Sequence, residues 1–376
     1  MNYFDHAASS VIYPEVLDTL NQAFKIDFAN PSSKHILGYE LNEQLISMKL
    51  DFLKSLNAKN QDQFVFTSSA TEANNMLIKG LVFKNEITAL YSKADHPSVV
   101  NPLEFRANHE KINLIEILLK ADGSIDQDHL ISILNENVEL VIITHVNSQS
   151  GVIQDIEALS AIIKKHSKAH VHIDAVQSFG KIKLKLTNDI DSLSVASHKL
   201  GGPKGVAGLF IKKGISVLPL LHGGQQEYGL RSSTVAYPLV KGFHKAMMMS
   251  LNDQNTSLLR VSAFQLEIIN ALKSLIPNAQ FYFKNTSPYI ISFVIPKYAS
   301  DIILRHLEMK QVYISSTSAC SSKIKGFNSS LMALHVPEKH HKNFLRISMS
   351  SLTTKEEVEN LIKEFKSVWT TLENLR

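Results

Sequence analysis

Two charged side chains lie at the ends of neighbouring strand patterns. Asp174 ends the apolar run His172-Ile173-Asp174, where a carboxylate is costly unless it is paired. Lys199 lies in the Gly-rich stretch 197–205 after the next strand pattern, where burial would make its amine nucleophilic. Enzymes hold pyridoxal phosphate with such an aspartate and a Schiff-base lysine. Taken singly, the aspartate also fits a cap of the following turn, and the lysine a solvated loop residue.

Two further stretches could bind a ligand. Residues 67–72, Thr-Ser-Ser-Ala-Thr-Glu, are typical of a strand end, a polar turn and a helix start, and Ser69 and Glu72 have capping-box spacing. A helix N-terminus offers free N–H groups and a positive dipole end to a phosphate, although a plain capped helix fits equally. Residues 222–234 are rich in Gly and polar side chains. They form either a functional segment or a flexible surface loop.

The chain has a single cysteine, Cys320, in the hydroxyl-rich stretch 315–322. Lys323 and Lys325 follow it, and an exposed, mildly basic loop favours the thiolate form of a cysteine. The pattern indicates a nucleophile, while a lone cysteine also fits a small buried hydrophobe. No intramolecular disulfide can form.

The elements that position these residues alternate between strand and helix patterns, which predicts a mostly parallel sheet with helices on both faces. Several strand candidates are apolar throughout, as expected of strands buried on both faces, and ligands bind at the carboxyl ends of such strands. Helices are predicted after Thr71 and from Ile156 to about Lys168. The predicted strands are residues 64–67, 87–92, 112–118, 140–144, 171–173, 192–195 and 208–212.

The pattern changes after about residue 237 and predicts a smaller α+β domain. A long helical stretch over 238–275 precedes a strand at 289–295, a helix at 300–309 and a strand at 312–314. A polar loop at 315–330, a strand at 345–348 and a helix from about Lys355 complete it. We expect a large domain over 15–240, and a small domain over 1–14 and 241–376 that carries the cysteine loop. The helix near 14–28 is expected to pack on the small domain or on a partner subunit.

Composition excludes several classes of protein. The 376 residues are 44% hydrophobic and 20% charged, as in ordinary globular proteins. The 39 basic and 35 acidic residues give a formal charge of only +4, which does not favour nucleic-acid or polybasic membrane binding. The N-terminus resembles no secretory signal, so we expect a cytoplasmic protein. Three histidines, His335, His340 and His341, fit no standard zinc spacing and are expected in a solvated surface stretch.

Together these stretches resemble the cysteine desulfurases of the class V aminotransferase group, which are pyridoxal-phosphate enzymes of fold type I. The resemblance begins at Tyr3-Phe4-Asp5-His6-Ala7-Ala8 and at residues 30–33, continues through every stretch above, and ends at Arg346-Ile347-Ser348. The motifs keep the family order over essentially the whole chain. The length of the loop after Cys320 resembles the branch that serves iron–sulfur assembly and tRNA thiolation.

The resemblance implies roles around pyridoxal 5′-phosphate. Lys199 would form the Schiff base, and Asp174 would pair with the pyridine nitrogen. Gln177 would reach the ring hydroxyl, and His96, in Asp95-His96-Pro97-Ser98, would stack on the ring and shuttle a proton. The phosphate ligands would be Ala70, Thr71 and His198.

It also implies a substrate and partners. Thr234 would reach the phosphate of the other subunit, which implies a homodimer. Arg346, assisted by Asn30, would hold the carboxylate of L-cysteine. Cys320 would take the sulfur as a persulfide, and L-alanine would be the other product. The sulfur would then pass from Cys320 to an iron–sulfur scaffold or a tRNA thiolase.

Five positions depart from the family pattern. Ser148 stands where an Asn usually contacts cofactor and substrate, and Ala196 replaces a Ser that binds the phosphate. Two usual glycines are Ser69 and Ser233, and Tyr228 replaces a usual Arg. We interpret these changes as a retuning of affinity or specificity.

Two alternatives stay open on the sequence. Another class V reaction, such as selenocysteine lysis, transamination or racemisation, would retain Asp174 and Lys199, but only the lyase type gives a reason for Cys320 on a polar loop. A degenerate homologue that acts as a scaffold would not need the site residues, yet the Lys, Asp, His, Cys and Arg are all present.

Overall fold

The computed structural model describes residues 2–83, 85–316 and 328–374. Its strands are β1 (Asn2–Tyr3), β2 (Gln63–Thr67), β3 (Ile87–Tyr91), β4 (Ile112–Glu116), β5 (Val138–Thr144), β6 (His170–Asp174), β7 (Ser192–Ala196), β8 (Ala207–Ile211), β9 (Ile290–Val294), β10 (Val312–Tyr313), β11 (Ser315–Ser316) and β12 (Phe344–Ser348). Its α-helices are α1 (Pro14–Ile26), α2 (Ile36–Ser55), α3 (Ala70–Gly80), α4 (Pro97–His109), α5 (Gln127–Ile133), α6 (Ile156–His166), α7 (Tyr237–Asn252), α8 (Gln254–Leu275), α9 (Ser300–Met309), α10 (Ser329–Ala333) and α11 (Lys355–Asn374).

The central feature is a seven-stranded sheet in the order β2-β8-β7-β6-β5-β3-β4. All neighbouring strands are parallel except β8, which is antiparallel to both β2 and β7. The strands predicted from the sequence are confirmed to within two residues at each end. The predicted α/β fold with a mostly parallel sheet is therefore confirmed.

Successive residues of the central strands contribute to separate hydrophobic cores, because side chains alternate between the two faces of a sheet. Val141 and Ile143 of β5 pack in one core with α1, α2, α6 and α7. Leu140 and Ile142 pack in another core, to which α3 and α4 contribute. Both faces of the sheet are thus covered by helices, which explains why the strands are apolar throughout.

A third hydrophobic core holds the later elements together. In the antiparallel sheet of order β11-β12-β9, β12 is central. Helices α8, α9 and α11 contribute the apolar side chains that pack with this sheet, among them Phe264, Leu307 and Phe365. The α+β character matches the sequence pattern, while the domain boundaries at 14 and 240 stay a prediction. Thr354 and Glu357 form a capping box at the start of α11.

The structure corrects some sequence expectations. The long helical stretch expected over 238–275 is divided into two helices, α7 and α8, at Asp253. Aspartate and asparagine compete with the helical backbone for hydrogen bonds. Helix α1 packs on α7, where Leu20 lies against Gly242, and it shares the core of the central sheet. The sequence did not predict α2, although it is 20 residues long. Among the described residues, no helix is long and apolar enough to cross a membrane.

Candidate active site

The predicted cofactor residues converge at the carboxyl edge of the central sheet. Asp174 is the last residue of β6, and its strand neighbours in register are Thr144 of β5 and Ser194 of β7. Lys199 ends the 3-10 turn Ser197–Lys199, which directly follows β7. Because β6 and β7 are adjacent and parallel, their ends bring the carboxylate and the amine to the same edge.

Asp174 is 5% exposed and accepts two hydrogen bonds. The backbone N–H of Val176 donates to Oδ1 over 3.0 Å, so the aspartate does cap the following turn. The Asn74 amide donates to Oδ2 over 3.2 Å. Both of these donors are neutral groups, which suits a carboxylate that also faces a cationic ligand.

His96 caps the N-terminus of α4, where its Nδ1 accepts from the backbone N–H of Ser98 over 3.1 Å. Burial lowers the pKa of His96; Asp174 opposes this shift and Lys199 adds to it. The three side chains are therefore close enough to influence one another electrostatically. This grouping is the one that the sequence motifs imply for the cofactor ring.

The N-terminal segment passes over Lys199. The Lys199 amine donates to the carbonyl oxygens of Ala7 and Ala8 over 2.6 and 2.7 Å. Gln177 donates to the same Ala7 oxygen over 2.8 Å. Residues 7 and 8, which belong to the family motif near the N-terminus, thus hold the lysine beside Gln177.

Positive side chains surround this point. Burial first, and then the neighbouring Lys199, Lys181 and Lys204, lower the pKa of His198 to about 4. Burial, together with the charges of Lys199 and Arg346, also lowers the pKa of Lys181 to about 7. The Lys181 amine lies 3.5 Å from Oε1 of Gln177. Such a concentration of positive charge favours ligands that carry a phosphate and a carboxylate.

Helix α3 begins at the end of β2, as the sequence predicted. Ser69 is its N-cap, and its hydroxyl accepts from the backbone N–H of Glu72 over 3.1 Å. The Glu72 carboxylate accepts from the Ser68 backbone over 2.7 Å and pairs with Arg231 over 2.8 Å. Burial alone would raise the pKa of Glu72, but its hydrogen bonds to Arg231 and Ser68 outweigh burial and lower it.

Ala70 and Thr71 are the first two residues of α3. The first backbone N–H groups of a helix have no partner inside that helix. The structure thus confirms the capped helix start, and phosphate binding at its first N–H groups stays a prediction.

Residues 222–234 are anchored to the protein core, so the flexible-loop alternative is wrong for their central part. Glu227 accepts from the backbone N–H of Phe66 over 2.8 Å and pairs with Lys49 of α2 over 3.0 Å. Tyr228, one of the departures from the family pattern, has a φ of 60°, and the Lys49 amine lies 4.3 Å from the centroid of its ring. Thr234, at the end of the segment, is exposed.

Arg346 lies on β12, beside the cluster around Lys199. Its Nη1 donates to the backbone oxygen of Ser148 over 2.8 Å, and its Nη2 pairs with Asp5 over 2.7 Å. Its Nε is buried and has no hydrogen-bond partner among the residues described. Asn30 is not tied to this guanidinium: it is exposed in the turn between α1 and α2, where its side chain accepts from Ser32.

Two other predictions have different outcomes. Cys320 lies outside the described residues. The expectation of a solvated histidine stretch is wrong for His340 and His341, which are 7% and 5% exposed. His340 bonds the Tyr282 hydroxyl and His341 bonds the Val336 carbonyl, because a 3-10 turn packs both rings inward. No cluster of metal-ligating side chains occurs in the parts of the chain that the structure covers.

A family model for class-V aminotransferases matches residues 2–361 of the chain. The chain belongs to the class-V aminotransferase family. Within this family it is 32% identical over 384 residues to the cysteine desulfurase IscS of Dictyoglomus turgidum, which covers 97% of this chain and 95% of that relative. It is 30% identical to the cysteine desulfurase IscS of Buchnera aphidicola, with 96% and 91% of the two chains covered.

Solved structures agree with this placement in the class-V aminotransferase family. A NifS-like protein superposes with a TM-score of 0.91 at 26% identity and covers 98% of this chain and 99% of its own. The structure described as SspA in complex with cysteine superposes with a TM-score of 0.81 at 28% identity, with 94% and 100% covered. The predicted membership of the cysteine desulfurases, a family of pyridoxal-phosphate enzymes, is confirmed.

Proposed function

We propose that the protein is a pyridoxal-phosphate-dependent cysteine desulfurase that converts L-cysteine to L-alanine and carries the sulfur as a persulfide on Cys320. The observation that supports this most strongly is the placement of Asp174 and Lys199 at the ends of neighbouring strands, in a chain whose relatives are cysteine desulfurases. In the overall reaction, the C–S bond of cysteine breaks, its Cβ gains a proton, and a new S–S bond forms on Cys320.

The side chains at the sheet edge fit pyridoxal 5′-phosphate by their chemistry. Asp174 would face the ring nitrogen, and Lys199 would bind the aldehyde carbon. The N-terminus of α3, at Ala70 and Thr71, would hold the phosphate together with His198. When bound, the cofactor supplies an electron sink that stabilises negative charge at the substrate Cα.

Residues of the chain itself would bind and orient the substrate. Arg346 would hold the cysteine carboxylate, because its buried Nε–H is available for an oxygen while Asp5 and Ser148 fix the other two nitrogens. Lys199 would take the proton from Cα once the substrate amine has replaced it, and His96 would move a second proton. Ser148 and Gln177 line the same edge of the sheet. Asn30 would assist Arg346 only in a site that a second copy of the chain completes.

A homodimer would complete the site. Five large hydrophobic side chains between residues 24 and 39 are more than half exposed, which is unusual for a monomer. They are Phe24, Ile26, Phe28, Ile36 and Tyr39. A second copy of the chain over this surface would cover them and would bring an exposed Thr234 towards the neighbouring phosphate.

The persulfide would then pass to an acceptor protein. The motif resemblance implies an iron–sulfur scaffold or a tRNA thiolase, and labelled sulfur traced from Cys320 would identify which one receives it.

Cysteine-dependent release of alanine tests the proposed function. The purified protein, loaded with pyridoxal phosphate, should release alanine, and Lys199→Ala should release none because the base and the anchoring amine are lost. Lys213→Ala removes an exposed lysine after β8 and serves as the matched control with the wild-type rate. Release of alanine by Lys199→Ala at the wild-type rate would contradict the assignment, and transfer of the amino group to an oxoacid would favour an aminotransferase.

A further inference from the structure

A buried hydrogen-bond network lies behind Asp174 and centres on Asn74 of α3, which is fully buried. The Asn74 amide nitrogen donates to Oδ2 of Asp174 over 3.2 Å and to the Ser98 hydroxyl over 2.9 Å. The Asn74 oxygen lies 3.2 Å from Nε2 of His172. All three polar positions of the amide are therefore in use.

The network extends in two directions from Asn74. On one side, the Ser98 hydroxyl bonds Nδ1 of His96 over 2.8 Å. On the other side, Nδ1 of His172 bonds the Ser192 hydroxyl over 2.8 Å, and the same hydroxyl bonds Nε2 of His170 over 2.7 Å. The network thus joins the two residues that would contact opposite features of the cofactor ring, Asp174 and His96.

The position of each proton follows from the carboxylate. An ionised Asp174 only accepts, so Asn74 must turn its NH₂ towards it and its oxygen towards His172. Nε2 of His172 must then donate, and its Nδ1 must accept from Ser192. Burial lowers the pKa of His172 to about 3, so the ring is neutral and carries only that one proton.

The position of the His96 ring proton follows from its hydrogen bonds in the same way. The Ser98 hydroxyl accepts from Asn74, so its own proton goes to Nδ1 of His96, which also accepts from the Ser98 backbone. The proton of the neutral His96 ring is thereby assigned to Nε2.

We propose that Asn74 is a positioning residue that, through its hydrogen bonds to His172 and Ser98, keeps Asp174 a pure acceptor for the ring nitrogen of the cofactor and orients His96. This inference rests on the proposed function, because it assigns Asp174 to the ring nitrogen. Fully satisfied buried networks of this kind specify one arrangement of their members.

The first test compares two ligands that differ only in the ring nitrogen. The dissociation constants of the unloaded protein are measured for pyridoxal 5′-phosphate and for its analogue with carbon in place of that nitrogen. Asn74→Asp replaces two donors by a second carboxyl beside Asp174, so the two must share a proton. We expect this variant to raise the dissociation constant for pyridoxal phosphate by about tenfold or more. The dissociation constant for the carbon analogue should stay nearly unchanged.

Asn75→Asp is the matched control, since Asn75 is only partly buried on the same helix and its side chain bonds locally to Thr71. It should bind both ligands like wild type. If Asn74→Asp weakens the binding of both ligands equally, the proposal is overturned, because a merely structural role does not distinguish the two ligands.

Two further measurements cover misfolding and loss of the cofactor. His172→Gln keeps an N–H donor for Asn74 and should still bind pyridoxal phosphate more tightly than the carbon analogue. His172→Leu lacks this donor and should lose that preference. The same preference in both variants would overturn the proposal. Nitrogen-15 NMR of the unloaded protein should show the His172 proton on Nε2, and a proton on Nδ1 would refute the network. If the wild-type protein binds neither ligand, the proposed function is refuted. The position of the His172 proton would still show in that case whether the hydrogen-bond network exists.

Discussion

The buried ion pair between Lys49 and Glu227 anchors the segment 222–234, and its removal should have a large effect. The two charged groups lie 3.0 Å apart, with side chains only 10% and 3% exposed. Glu227 also accepts from the Phe66 backbone over 2.8 Å, and it has a φ of 50°. The pair therefore holds a conformation that an L-residue rarely adopts, in the segment that leads to Thr234.

The magnitude follows from burial. Removing one partner leaves the other charge buried without compensation, which costs about 3–5 kcal/mol in such pairs. Lys49→Met retains the apolar length of the side chain, so the lost charge dominates its effect. Glu227→Gln keeps an acceptor for Phe66 but leaves Lys49 unpaired. The double variant removes both charges. Its loss in free energy of unfolding should be smaller than the summed losses of the two single variants, by roughly 0.5–3 kcal/mol.

The assay is urea denaturation of wild type, both single variants and the double variant at one pH. Lys54→Met is the matched control, because Lys54 is exposed on the same helix, and it should stay within about 0.5 kcal/mol of wild type. A Lys49→Met variant as stable as this control, or single effects that add fully in the double variant, would refute the argument that the pair anchors the segment.

Three further results are expected. Burial lowers the pKa of His172 to about 3 and of His170 to about 4, below the ordinary value of about 6.5, so the folded state resists protonation. The thermal midpoint should therefore fall as pH drops from about 6.5 to 4, and a constant midpoint would argue against neutral buried rings. Ser148→Asn should lower the KM for cysteine by about two- to tenfold, the scale of one hydrogen bond; an unchanged KM would mean that the site has adapted to serine. Phe28→Asp, at a side chain 75% exposed, should shift the protein towards monomer in light scattering, and an unaffected dimer would place the interface elsewhere.

The sequence predicted the sheet and the location of the site because both depend on local patterns. Runs of three to seven residues identified the strands, and Asp174 and Lys199 lie at the ends of strands that are adjacent along the chain and in space. The N-cap of α3 was likewise predicted by the spacing of Ser69 and Glu72.

Contacts between residues far apart in the sequence could not be predicted in this way. Asn74 bonds Asp174, 100 residues later, and Asp5 pairs with Arg346, 341 residues later. A local signal for the first contact did exist, since His172 lies two residues before Asp174 and so faces the same side of β6. Burial of His340 was missed because a polar stretch gives no indication that a 3-10 turn packs its rings inward.

The most direct test of the proposed function is the mass of the intact protein after brief exposure to cysteine. Cys320 is the only thiol in the chain, so any protein-bound persulfide must form there. We predict one added sulfur atom on the wild type, removed by reductant, and none on Cys320→Ala, which should also release little or no alanine. A Cys320→Ala variant that desulfurates cysteine as fast as wild type would contradict the persulfide mechanism.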